Sequence, residues 1–465
     1  MRGELVMDTS ARVRIIFFLI IALVVIRGVL YEIIIPFDRA PDEREHFRRI
    51  KAQQLALNRA SEAEKRRAAA EFERVFYALI HPTSSKQRSI DDFPDAFFPA
   101  PQTSRSLYYW VTAWMLKLLS LENIRTEIYV IRSFSILCGL GVIVVAFFVT
   151  RELFPDQSFM LIGVPAFIML IPQFSAMNGV INNDKLAEVF SALSFLIVVK
   201  ILKSGMKIHF LSAYFLLICL TYFSKRTGIF LFPFFMVFLF VYVWKSGLGV
   251  KTHLVLLGGS VGFILLVYGL LWFPPFYFWF DEHLLDLPPV NQIHYLVLRP
   301  EMWSTTSLKY YAKFLTVMYW SFWGVFGYMT IHLHHFWYMA AAGVQGLAIG
   351  GLVRSAWRSK KQQFRMERWK TKVLYVFGVS ILLVVSLPFL RSVIFRPGDP
   401  RLTQGRYLFT VIVPIAVLTV FGLMNLFPPK YHRLVGGLCL AGLFMLDTVS
   451  LLGYIALNFH NITLF

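Results

Sequence analysis

The chain has 465 residues, of which 57% are hydrophobic and only 16% charged, and its mean hydropathy is +0.61. That balance excludes an ordinary soluble domain and fits a polytopic membrane protein. The formal net charge of +19 does not point to a nucleic-acid partner, because the basic residues fall mostly in short loops between hydrophobic runs.

Residues 15–35 form an apolar run long enough to cross a bilayer. Arg2, Arg12 and Arg14 precede it and favour a cytoplasmic N-terminus. No small-residue cleavage site follows, so the run reads as a retained anchor. A long polar loop, residues 36–106, comes next and opens with PFDRAPDEREHFRRI. Asp38, Asp42, Glu43, Glu45 and His46 crowd into its start. A carboxylate is costly inside hydrocarbon and cheap at its edge. Acids placed here can act on a lipid head group while the tail stays in the bilayer; the plain alternative is a solvated loop. The run SEAEKRRAAAEFERVFYALI reads as an amphipathic interface helix, and residues 81–106 as loop.

Residues 107–120 are short for a span and are interrupted by Lys117. Spans are expected at 129–149, 159–172, 186–199, 210–223, 229–244 and 254–273. A second large outer loop covers 274–335, and further spans follow at 336–351, 373–390, 407–426 and 434–457. The basic run Arg354 to Lys372 must face the cytoplasm. These constraints agree if 107–120 does not cross and 308–329 either does not cross or is re-entrant. The expected fold is then all-α: one integral membrane domain over 1–465, with about eleven spans, N-terminus inside and C-terminus outside. If both doubtful segments cross, the count rises to about thirteen. Cys138, Cys219 and Cys439 lie inside apolar stretches and read as small core hydrophobes, not as a disulfide set or metal site.

In the eleven-span arrangement the polar groups of interest share the outer face. They are the Asp42 loop, NGVINND at 178–184, SKRT at 224–227, the 274–335 loop with Asp281, Glu282, His283, Arg299 and His332, and RPGDPRLTQGR at 396–406. The chemistry suggested is transfer from a phosphate-linked donor. It needs a carboxylate to take a proton from an acceptor hydroxyl and fixed cations to neutralise the leaving phosphate. Asp42 suits the first role; Lys225, Arg226 and Arg406 suit the second. A single such cation is usually a snorkelling interface residue, but two adjacent cations on the outer side run against the usual charge bias. Asn182, Asn183 and Asp184 have a plain reading as helix caps. Asp42 and His46, four apart, share a face if helical, yet two candidate ligands are too few to define a metal site. His332, His334 and His335 read as interface residues.

Seven segments together resemble the multi-pass GT-C glycosyltransferases, which use polyprenyl-phosphate sugars. They are PDEREHF (41–47), SLYY (106–109), IRSFSILCG (131–139), NGVINNDKLA (178–187), SKRTGIFLFP (224–233), SFWGVFG (321–327) and QGRYLF (404–409). Within that superfamily the chain is most similar to a bacterial membrane family. The resemblance implies that Asp42 is the catalytic aspartate with Glu43 beside it, and that the second family acid is Asp184. The candidate substrate-binding set is His46, Arg105, Asn183, Asp184, Lys225, Arg226, Arg299, Gln404 and Arg406. The resemblance further implies a polyprenyl-phosphate-sugar donor and a glycan or lipid acceptor; the placement of the basic residues argues for no nucleic acid, and the eleven-span topology for an extracytoplasmic active site in an inner or plasma membrane. A divalent metal ion stays open. No large soluble domain like that of better-known relatives is expected after the last span, and acceptor recognition is then expected to fall to the loops. Two other classes compete. A transporter or flippase of a lipid-linked glycan should carry charges near the midplane and repeated halves, whereas these acids sit at span ends and no repeat is seen. A non-catalytic scaffold would keep the fold and lose the chemistry.

Overall fold

The computed structural model describes residues 9–80, 88–100, 106–243, 305–360, 366–395 and 404–460. The expected span at 254–273, most of the 274–335 loop, Arg105 and Arg299 lie outside these residues.

The described chain is helical throughout, apart from one short hairpin. α1, Thr9–Ile34, exposes Phe18, Leu19, Ile26 and Ile33 along its length. An apolar surface of this kind is stable only against lipid. Ile124–Leu153 (α5), His335–Lys360 (α12) and Arg368–Phe395 (α13) present further exposed hydrophobics. Among the described residues six helices are long and apolar enough to cross a membrane, or seven if one bent pair counts as a span. The chain is therefore a multi-pass membrane protein. Several other expected spans coincide with shorter helices, among them Ile208–Ser224 (α9) and Leu231–Val243 (α10).

The bent pair is Ser158–Met169 (α6) and Pro172–Asn178 (α7), which meet at 62°. The short span expected at 159–172 covers the first helix and stops at the joint. Pro172 instead takes the first turn of a new helix, where its missing N–H costs nothing. The turn delivers Asn178–Asp184 to the start of Asp184–Ser204 (α8). α8, α5 and Ile412–Leu426 (α14) supply much of the buried core. α12 and α14 cross in close contact: a Cβ on Gly351 would lie 1.8 Å from the Gly422 carbonyl oxygen, so only glycine lets these backbones meet.

The long first loop folds into Glu43–Leu57 (α2) and Glu62–Ile80 (α3). Phe37, just past α1, meets Phe47, Phe72 and Phe76 edge-on with ring centroids 5.9–6.3 Å apart. This aromatic cluster fastens both helices over the exit of α1. Leu107–Leu119 (α4) lies alongside α2. The Ser106 hydroxyl donates to the Ser224 carbonyl at 2.6 Å and Lys117 Nζ to the Leu57 carbonyl at 2.9 Å. Its 13 residues span roughly 20 Å, short of a hydrocarbon core of about 30 Å.

Thr305–Trp323 (α11) ends in an antiparallel hairpin of Val325–Phe326 (β1) and Ile331–His332 (β2). The sequence offered 308–329 as one apolar segment; the helix stops at Trp323 and the chain turns through Gly327, Tyr328 and Met329, all at positive φ. The last long element starts as His432–Thr448 (α15) and continues in π-helical form over Val449–Ala456. Cys138 is buried, Cys439 partly so and Cys219 exposed, and all three are free.

This placement sets a topology test. Cysteines at Ser61 and Ser120 should label from one side of the membrane and a cysteine at Ser359 only from the other, with the N-terminus. Labelling of Ser120 from the Ser359 side would favour the larger span count.

Candidate active site

Four elements meet where α1 leaves the membrane, and a buried arginine ties the first two. Arg132 of α5 donates from Nη1 to the Glu32 and Ile35 carbonyls at 2.8 Å each, which would otherwise be orphaned at the end of α1. Its Nε and Nη2 donate to the Glu43 carboxylate at 2.8 and 2.9 Å. Glu43 also accepts from the backbone N–H of Asp38 at 2.9 Å and of Ile181 at 3.0 Å. Glu43, named from sequence beside Asp42, is thus fully buried and has four donors on its two oxygens. The loop is held from outside as well, since the Tyr328 hydroxyl donates to Asp38 at 2.6 Å.

Asp42 is therefore set on a fixed turn. It sits at the N-cap of α2 with φ 64 and ψ 7, and its side chain makes no cap bond. A non-glycine residue in that region is strained and is held there by its surroundings. The carboxylate stays available: 61% of the side chain is exposed, and it accepts from Arg406 Nη2 at 3.1 Å.

Arg406 arrives on the 3₁₀ turn Gly405–Val411, with Gln404 at its cap position. Gly405 presses on α11, where a Cβ would meet the Phe322 nitrogen at 2.1 Å, and its N–H donates to the Ser321 hydroxyl at 2.7 Å. That close approach sets the guanidinium depth. Arg406 is 6% exposed, and its Nε lies 3.9 Å from Asp184 Oδ2, beyond hydrogen-bond range. Lys225 Nζ closes the other side, donating to Asn183 Oδ1 at 2.8 Å and lying 3.0 Å from Asp184 Oδ1. The plain capping role does not describe Asp184: the cap position is Asn183, and the Asp184 carboxylate faces two cations. The structure thus brings together Asp42, Asn183, Asp184, Lys225 and Arg406. Arg226 opens the 3₁₀ turn Arg226–Phe230, and its side chain lies outside the described residues.

His46, one turn along α2 from Asp42, is buried, and its Nδ1 shares a 2.7 Å hydrogen bond with the Tyr109 hydroxyl. Burial, then the positive charges of Lys225 and Arg406, push it down to about 3 against the pull of Asp42 and Asp184. For Asp42, burial acts to raise the carboxyl, but Arg406, His46 and Lys225 outweigh it and hold it below its ordinary value. His46 yields a pH prediction. The unfolded histidine takes a proton near 6.5 and the folded one only near 3. Its contribution is whole above about pH 6.5 and is lost as pH falls toward 3, at about 1.4 kcal/mol per pH unit. His46→Gln should flatten the acid side of a stability–pH curve; an unchanged acid slope would rule out the neutral buried ring.

Four buried atoms in this cluster have no hydrogen-bond partner: His46 Nε2, Asp184 Oδ2, and Arg406 Nε and Nη1. Buried groups of both polarities without a protein partner are completed by water or by a ligand. Among the described residues no three His, Cys, Asp or Glu side chains are placed to hold a metal ion together. Asp42 and Asp184 are each paired with lysine or arginine, and these residues do not fit a divalent cation.

The sequence reading assigned no role to Arg132, Tyr109 or Tyr328. Lys185, inside the NGVINNDKLA segment, and Glu188 pair at 2.8 Å under the site, Lys185 donating as well to Asn178 at 3.0 Å. A signal was present, because an ionisable residue inside an apolar run is a functional candidate by default.

No protein-family model and no curated protein matches the chain. Among solved structures it is similar to the Archaeoglobus fulgidus oligosaccharyltransferase, crystallised tethered to an acceptor peptide containing the NVT sequon. The identity is 13% and the TM-score 0.46, over 94% of this chain and 55% of that one. The chain thus spans about half the length of that relative. At this level the likeness assigns neither a family nor a mechanism.

Proposed function

We propose that the chain transfers a sugar from a polyprenyl-phosphate donor to a glycan or lipid acceptor at the extracytoplasmic membrane surface, inverting the anomeric centre. The observation that carries this reading is Arg406. It is buried, it faces Asp42 and Asp184, and two of its three guanidinium nitrogens lack hydrogen-bond partners. Phosphate and carboxylate are the ligands a guanidinium suits best, and next to two carboxylates a phosphate on a lipid is the reading we take. Lys225, on the far side of Asp184, adds a second cation.

The step is one displacement. The acceptor oxygen attacks the anomeric carbon, and the carbon–oxygen bond to phosphate breaks. The electron pair leaves with the phosphate, whose charge Arg406 and Lys225 stabilise. The acceptor proton passes to Asp42. The half-exposed Asp42 faces an acceptor from solvent, while the donor tail remains in the bilayer. Asp184 holds Lys225 and Arg406 at the phosphate and has one free oxygen for a donor or acceptor hydroxyl.

Purified protein in lipid nanodiscs, given a polyprenyl-phosphate sugar together with a glycan or lipid acceptor, should release polyprenyl phosphate as the sugar joins the acceptor hydroxyl. Arg406→Gln should lower turnover by about 10²–10³-fold and weaken donor binding, with a smaller loss for Lys225→Gln. Native donor affinity in Arg406→Gln would remove the phosphate grip. Movement of a labelled glycolipid across the membrane without transfer would favour a flippase.

A further inference from the structure

α1 and α15 run side by side in the same direction and are clamped at one level. Arg27 forms a buried ion pair with Asp447, and the Tyr31 hydroxyl donates to the same carboxylate at 2.8 Å. Toward their N-termini the two helices part. A cavity of about 1000 Å³ lies between them, walled also by α6, α12 and α14. Its lining is almost wholly apolar, and at Gly437 and Gly442 of α15 a Cβ would meet nothing within 4 Å. Two cations line one end, Arg12 of α1 and Arg433 of α15, both exposed. Helical rise puts them level: each lies about one helix stretch below the ion pair, roughly 21–23 Å at 1.5 Å per residue.

We propose that this groove holds an anionic glycerophospholipid, its phosphate between Arg12 and Arg433 and an acyl chain in the cavity below Arg27–Asp447. The volume is at the top of the about 300–1,000 Å³ range of ligand sites. An apolar cavity of this kind does not fill with water, and in a bilayer a lipid tail is the available occupant. The matched cations select an anionic head group over a zwitterionic one. The donor of the proposed transfer is not the occupant, because Arg12 lies roughly 33 Å along α1 from the end that carries Asp42. The site is independent of the transfer reading. Its neighbours give it a spectroscopic handle, since Trp323 and Trp337 line the cavity.

The test is quenching of tryptophan fluorescence in vesicles of zwitterionic lipid doped with brominated-tail phosphatidylglycerol or brominated-tail phosphatidylcholine. The anionic lipid should quench at a roughly thirtyfold lower mole fraction, given about 1 kcal/mol per arginine. Trp337→Phe should remove part of the signal that separates the two lipids. The double variant Arg12→Gln/Arg433→Gln, changed only at exposed positions, should erase the preference, and Gly437→Phe should abolish the extra quenching by the anionic lipid by filling the groove, leaving the quenching that both lipids share at the exposed Trp110, Trp114 and Trp357. Equal quenching by both lipids would overturn the proposal, as would a preference that survives in the arginine variant. Displacement of the brominated phosphatidylglycerol by an equal amount of polyprenyl phosphate would also overturn it and assign the groove to the donor.

Discussion

Purified Asp42→Asn protein should bind a polyprenyl-phosphate sugar at least as tightly as the native chain while transferring the sugar about 10²–10⁴-fold more slowly. The slow turnover is what removing a general base does. The retained or tightened binding follows from the 3.1 Å ion pair between Asp42 and Arg406. In the empty site this carboxylate is the counter-ion of the guanidinium that the donor phosphate must engage. Asparagine keeps the shape and removes the competing charge. The same exchange predicts the pH profile. Without donor, partial burial acts to raise Asp42, yet the charges of Arg406 and Lys225 hold it low. Bound phosphate takes Arg406 and adds negative charge beside Asp42, so the carboxyl rises toward the range a working base needs. The acid limb of kcat, which reports the complex, should lie at higher pH than the acid limb of kcat/KM, which reports the free protein. Coincident limbs, or an Asp42→Asn protein that loses donor affinity and turnover equally, would mean that Asp42 binds the substrate and does not act on it.

The parts legible in the sequence are those written in local pattern. Hydropathy located α1, α5 and the C-terminal helices, and the alanine- and charge-rich run of the first loop marked α3. Residue type and position at span ends named Asp42, Lys225 and Arg406, and the resemblance named Asp184; the four lie far apart in the chain and share one cluster in space. What pattern does not carry is which partner a charge takes. Asp42 and Glu43 are adjacent acids in the same loop, and nothing local separates them. Their difference is made by Arg132, almost ninety residues downstream, which consumes one and leaves the other. The expected span 159–172 ends at the joint between α6 and α7, but sequence pattern does not show that the chain continues there as a second helix turned by 62°. Arg27 and Asp447 stayed unread because each looks like a lone charge in a span until the fold pairs them.

Glu43→Gln should be the more damaging substitution for stability and the less informative one for chemistry. The glutamate is fully buried against a guanidinium that is 2% exposed, and removing one partner of such a pair typically costs about 3–5 kcal/mol. The loss spreads, because Glu43 also accepts from the Asp38 and Ile181 backbones, and Arg132 holds the last carbonyls of α1. Thermal unfolding of Glu43→Gln in nanodiscs should therefore begin at markedly lower temperature, and any activity should fall with the folded fraction. Replacing both partners by apolar residues, Glu43→Leu with Arg132→Met, should recover much of the stability, since no buried charge is then left unpaired. It should not recover transfer. The turn that sets Asp42 at positive φ would have lost both its anchor to α5 and its tie to the Asn178–Asp184 segment. A Glu43→Gln protein with native unfolding temperature and collapsed turnover would reverse the assignment, placing the proton-accepting group on Glu43 and leaving Asp42 as the counter-ion of Arg406 alone.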